Sequence, residues 1–188
     1  MWQPIVLPYK SLPWISERTI HEHYGLYLKY LERWDTVSHA LETERDDTRR
    51  FSSLQSEEGS LRNAVRLHEL YFENLTPGAK GDGALLFGGM KEFDRWLEDF
   101  RMLALTSTGW VVLAHDLWRG DLFNVTMKDH GQGFPLGAWP LLVLDCYEHA
   151  YMIDYGTDRD DYFEAFMGNV DWTVVQARAE EAVERACT

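Results

Sequence analysis

The run Trp139-Pro-Leu-Leu-Val-Leu144 leads directly into Asp145-Cys-Tyr-Glu-His149. An uninterrupted apolar stretch of this length reads as a strand buried on both faces. It nevertheless ends in a carboxylate and, four positions on, an imidazole. A buried carboxylate without partners costs several kcal/mol. Any fold of this chain must therefore bring donors or a cation to Asp145. The pair is either a polar cap or half of a metal site whose other half lies elsewhere in the chain.

Length and composition allow such a buried site. A chain of 188 residues, 45% hydrophobic and 14% aromatic, is globular and forms one or two domains around a real core. No apolar run approaches a membrane span. The opening Met-Trp-Gln-Pro-Ile-Val-Leu-Pro lacks the basic and hydrophobic regions of a signal peptide, so the cytoplasm is the expected compartment. Cys146 and Cys187 are too few for a disulfide framework, and no bridge between them is expected. A formal charge of −13 argues against a nucleic-acid partner.

Periodicity supplies the scaffold. Ser16 caps an expected helix over 16–41, in which Ile20, Tyr24, Tyr27, Leu31 and Trp34 recur at helical spacing and His23 shares their face. The polar stretch 42–56 reads as an exposed connection. A second helix is expected over 57–75, where Leu61, Val65, His68 and Phe72 form one stripe, and Thr76-Pro-Gly78 stops it. The glycine-rich stretch 79–89 is a boundary, giving a helical hairpin over 1–80 and an α/β unit over 81–188. In the second unit a helix over 90–105 precedes strands over 109–118, 122–128 and 139–147, the first two joined by an Arg-Gly-Asp turn. Helices over 159–167 and 171–185 follow. The class is α+β.

Four candidate metal ligands emerge: His23, His68, Asp145 and His149. A lone histidine on an apolar face is more often a satisfied core residue than a ligand. Three imidazoles and a carboxylate together suit iron or manganese, and would also accept zinc or copper.

Four segments carry a resemblance. LPYKSLPWISERTIHEHYG, NAVRLHELYFENLTP, STGWVVL at 107–113 and LLVLDCYEHAYMIDYGTDRDDYFEAFMGNVDW together resemble the iron/manganese superoxide dismutase family, in register over nearly the whole chain. The resemblance implies that His23, His68, Asp145 and His149 bind one iron or manganese ion per subunit, between a helical hairpin and an α/β domain with a three-stranded antiparallel sheet. It implies redox cycling that converts superoxide to oxygen and hydrogen peroxide, with a bound solvent as fifth ligand. It also implies a homodimer or homotetramer, in which Glu148 reaches the partner's metal-bound histidine and Tyr151 and Arg159 occupy interface positions. Trp110 stands on the family's glycine-tryptophan strand.

The surroundings of the ligands depart from the family. Its gateway tyrosine position holds Leu31. Tyr30 is adjacent, but one helical step turns a side chain by about 100°, so direct substitution is not expected. Tyr27 replaces a histidine, Met152 a tyrosine, Tyr147 a tryptophan and Val112 a second tryptophan. The usual glutamine position is Ala64. His130 is therefore assigned the hydrogen-bonding role beside the metal, with Gln132 as fallback. Leu31, Tyr30 and Met152 would line the substrate funnel, and Tyr27 and Tyr147 would restore part of the proton relay. Loss of relay groups leaves open a metal-dependent redox enzyme acting on another small substrate, while intact ligands weigh against a non-catalytic scaffold.

Overall fold

The computed structural model describes residues 2–186; Cys187 lies outside them. Ser16 begins the first helix, α1 (Glu17–Thr43), by accepting the amide of Thr19 on its side chain. The face carrying Ile20, His23, Tyr27, Leu31, Trp34 and Val37 turns inward. It packs against the second helix, α2 (Thr48–Glu73), whose buried face holds Leu61, Ala64, Val65, His68 and Phe72.

The expected connection over 42–56 is mostly helix instead, because α2 starts at Thr48. The Asp47 carboxylate accepts the amides of Arg49 and Arg50 and nucleates the turn. Between there and Gln55 only Leu54 is buried, so the stretch showed no apolar period.

A short 3-10 turn (Gly83–Phe87) and α3 (Met90–Thr106) lead into strands β1 (Trp110–Asp116), β2 (Leu122–Met127) and β3 (Ala138–Asp145). The sheet is antiparallel in the order β2-β1-β3, so β3 is an edge strand. Its register sets Trp110 opposite Asp145. Glycine is required just before β1: a Cβ on Gly109 would lie 2.1 Å from the Met127 carbonyl oxygen.

The third strand ends two residues earlier than expected. Asp145 Oδ1 accepts the Tyr147 amide at 2.9 Å, turning the chain into α4 (Glu148–Tyr155). Eight residues are too few to display a helical period, so the sequence predicts no helix here. The chain finishes with α5 (Arg159–Met167) and α6 (Trp172–Ala186). A continuous apolar core joins the α1–α2 pair to the sheet, with Tyr27, Tyr71, Phe72 and Trp110 almost wholly buried. The α+β class is as expected. No helix among the described residues is long and apolar enough to cross a membrane.

Candidate metal centre

Four elements converge on one point. His23 comes from the second turn of α1, His68 from α2, Asp145 from the last position of β3 and His149 from the first turn of α4. One donor atom from each lies within 4.8 Å of every other. Asp145 Oδ2 is 3.1 Å from His23 Nε2, 3.1 Å from His149 Nε2 and 3.8 Å from His68 Nε2. His23, His68 and Asp145 are fully buried, while the His149 side chain is 27% exposed and marks the open side.

Second bonds orient these groups. His68 Nδ1 lies 2.7 Å from the Ala64 carbonyl oxygen. A carbonyl only accepts, so Nδ1 carries the proton and Nε2 presents a lone pair. That Nε2 is buried and has no partner of its own. A buried acceptor left unpaired is costly, whereas a cation between it and Asp145 would satisfy both. The Asp145 backbone is held separately, its carbonyl accepting the Tyr162 hydroxyl at 2.8 Å.

Electrostatics favour a cation. Burial would by itself raise the Asp145 pKa, but the hydrogen bonds and charge of His149 and His23 hold it well below the usual carboxylate range. Burial lowers the pKa of His23, and burial together with His23 lowers that of His68 to about 3. An ionised Asp145 beside His23 and His68, both disposed to stay neutral, is the protonation state that a metal ion requires. Nitrogen and oxygen donors in this ratio fit iron or manganese.

Around this cluster runs an aromatic wall. Trp110 Nε1 donates to His130 Nδ1 at 3.0 Å, and His130 Nε2 lies 3.2 Å from the Tyr30 hydroxyl. Because Trp110 can only donate, neutral His130 carries its proton on Nε2 and gives it to the Tyr30 oxygen. Burial lowers the His130 pKa, which favours that neutral form. The Tyr30 ring packs against His68 with centroids 5.3 Å apart. Tyr147 stacks on His149 at 5.4 Å and 14°, with its hydroxyl donating to the Lys128 carbonyl. Burial, with the Asp145 charge next, raises the Tyr147 pKa to about 12.

Rotation about α1 sets where Tyr30 and Leu31 point. Tyr30 follows His23 by seven residues, which on an α-helix falls within about 20° of two full turns. Its ring therefore points with that of His23 towards the cluster, while Leu31, further round the same inward face, sits in the apolar core, 9% exposed. Tyr27 lies beside the site, but its hydroxyl donates to Glu69 Oε1 at 3.0 Å and accepts the Ile5 amide, away from Asp145. Met152 and Glu148 are exposed on α4, and Gln132 is exposed in its loop. Tyr151 is buried against Tyr162, and the Arg159 guanidinium binds the carbonyls of Leu105, Ser107 and Cys146.

Three supporting residues had no signal in the sequence. Asn63 donates to the His130 carbonyl at 2.8 Å, Glu69 anchors Tyr27, and Tyr162 holds the Asp145 backbone. Each acts across a sequence separation that no local pattern reveals.

Residues 85–178 match the family model of iron/manganese superoxide dismutases, C-terminal domain. Over 96% of each protein, the chain is 33% identical to a protein named manganese superoxide dismutase 2 from Haloferax volcanii. It is 31% identical to an iron superoxide dismutase from Aquifex pyrophilus, covering 93% of this chain and 89% of that one. An iron superoxide dismutase from Cupriavidus metallidurans is 32% identical over 92% of each. With likeness extending across both the helical pair and the sheet that jointly frame the cluster, the chain belongs to the iron/manganese superoxide dismutase family, whose members are oxidoreductases that use iron or manganese.

Proposed function

We propose that this chain is a superoxide dismutase whose iron or manganese is held by His23, His68, Asp145 and His149. The observation that carries the reading is the unpartnered, lone-pair-bearing Nε2 of buried His68, aimed at an ionised Asp145 that two further imidazoles already approach. The chemistry supplied by the bound metal is one-electron exchange: one superoxide is oxidised to oxygen, and a second, with two protons, is reduced to hydrogen peroxide.

The chain's own residues orient and supply protons. Ala64 fixes the His68 tautomer, and Trp110 fixes that of His130. With His130 Nε2–H donating to the Tyr30 oxygen, the phenolic proton of Tyr30 is left available to a group inside the site. Burial and the Asp145 charge raise the Tyr30 pKa, so the phenol stays protonated at neutral pH. A donor so placed contributes typically 10²–10⁴-fold in rate. Tyr147 stacks on His149, with its hydroxyl held on Lys128.

We further propose the assembly and organisation that the family resemblance suggests. A homodimer or homotetramer would cover the partly exposed His149, with exposed Glu148, Met152 and Ile153 beside it on α4. The chain would divide into a helical hairpin over 1–80 and an α/β unit over 81–188, with the metal between them. The net charge of −13 gives superoxide no long-range attraction, so the cation itself must supply the local pull.

Metal analysis followed by stopped-flow superoxide decay tests this. The iron- or manganese-loaded chain is expected to accelerate decay in proportion to its metal content. A chain that takes up neither metal overturns the ligand assignment. A loaded chain no faster than the metal-free one overturns the dismutase activity and leaves a redox enzyme for another small substrate.

A further inference from the structure

We infer that Asn74 is a positioning residue for the metal centre: its side-chain amide sets the spacing between the helix that carries His68 and the strand that carries Asp145. The inference rests on the ligand assignment proposed above and goes beyond it.

Because β3 is an edge strand, one side of it has no neighbouring strand. Asn74 takes that place. Its Oδ1 accepts the Val143 amide at 3.0 Å, and its Nδ2 donates to the Val143 carbonyl at 3.3 Å. The side chain thus pairs with the strand as a neighbouring peptide group would. Nδ2 also donates to the Tyr71 carbonyl at 2.8 Å, inside the last turn of α2, so one amide grips both elements. Asn74 is fully buried, and its position is fixed further by Arg178. That guanidinium approaches Oδ1 at 3.4 Å and donates to the Leu141 carbonyl on the same strand edge at 2.9 Å.

The location gives the bond its leverage. Asn74 caps α2 six residues after His68, and Val143 lies two residues before Asp145. A single side chain, this amide, therefore bridges the helix of His68 and the strand of Asp145 outside the cluster, beside the longer route from Tyr71 through Tyr162 to the Asp145 carbonyl. Metal–ligand distances tolerate about 0.2 Å, so a shift of α2 against β3 far smaller than a hydrogen bond's length spoils coordination. Simple stabilisation of the fold would not demand that accuracy.

Asn74→Asp and Asn74→Ser test the inference, with Asn169→Ser as the control. Asn74→Asp keeps the shape but sets an oxygen against the Val143 and Tyr71 carbonyls, while its new charge faces Arg178. Asn74→Ser covers the case in which the aspartate variant does not fold. Asn169 is an equally buried asparagine that ties Pro13, Gly78 and Ala165 together away from the cluster. Each protein is loaded with cobalt(II), whose visible bands report coordination geometry, and metal loss to a chelator is timed. The Asn74 variants are expected to shift the bands and to lose metal about 10- to 100-fold faster, whereas Asn169→Ser, though destabilised, keeps the wild-type bands. Folded Asn74 variants with unchanged bands and loss rate overturn the inference alone. The same shift in Asn169→Ser also overturns it, reducing Asn74 to a general packing residue. A wild-type chain that binds no cobalt, iron or manganese overturns the ligand assignment itself.

Discussion

The Tyr30 hydroxyl and His130 Nε2 lie 3.2 Å apart across 100 residues of sequence, and their hydrogen bond can run in only one direction. Trp110 donates to the opposite nitrogen of the same ring, so the neutral imidazole must donate to the phenol. A tryptophan on β1 thereby decides which proton a tyrosine on α1 has left to give.

Removing that proton separates chemistry from metal binding. Tyr30→Phe is expected to keep its metal content and lose about 10²-fold in turnover, the lower end of what a positioned donor contributes. Paired measurement of bound metal and superoxide decay checks it. An unchanged rate would take Tyr30 out of the relay.

Restoring a tyrosine at the family's gateway position is expected to bring no gain. Leu31 is a core residue here, and a larger ring must displace its neighbours, which costs about 1–3 kcal/mol. Leu31→Tyr should therefore unfold at lower urea concentration than wild type without faster turnover.

Asp145 is the anion on which three imidazoles converge, and its pKa is held well below the usual range, after burial is overcome, by bonds from His149 and His23. Asp145→Asn preserves the shape, removes the charge and offers an amide where the proposed ligand oxygen stood. It is expected to abolish metal retention through gel filtration. Metal retained at the wild-type level would show that the carboxylate is not a ligand.

Acid should destabilise the metal-free protein, and the sign follows from the imidazoles. His68 has a folded pKa of about 3, lowered by burial and by His23, against an ordinary value of 6.5. Between those values the unfolded chain binds the proton that the folded chain excludes. Stability is thus fully present above about pH 6.5 and declines towards pH 3, by about 1.4 kcal/mol per pH unit for each such group. The lowered pKa of His23 acts in the same direction. Urea titrations of the metal-free chain across this range measure it, and a flat profile would contradict neutral buried imidazoles.

Glu69 joins the N-terminal segment to both ligand helices. Trp2 Nε1 and the Tyr27 hydroxyl donate to Oε1 at 2.8 and 3.0 Å, and Arg66 donates to Oε2 at 2.9 Å. Glu69→Gln places an amide donor against the Arg66 guanidinium. A loss of about 1–3 kcal/mol is expected from the mispaired buried group, read from equilibrium unfolding.

The four clustered residues and the alternation of elements were legible in the sequence for a physical reason. His23 and His68 interrupt apolar stripes of period 3.6, and Asp145 interrupts an apolar run, so each stands out against its surroundings. Helix starts governed by a cap were not legible, as at Asp47, because a cap leaves no periodic trace. For Tyr30 the seven-residue spacing from His23, rather than the step from Leu31, sets where the ring points. Asn63, Asn74 and Glu69 form ordinary polar positions along α2, and only the packing of distant elements shows what they hold.

The cluster draws one donor from each of four elements, the first at residue 23 and the last at residue 149. During synthesis no partial chain owns a complete site: the early histidines emerge long before the aspartate and final histidine have left the ribosome. A cation that needs all four donors can therefore be bound only after residue 149 has been made, so loading would follow synthesis rather than accompany it.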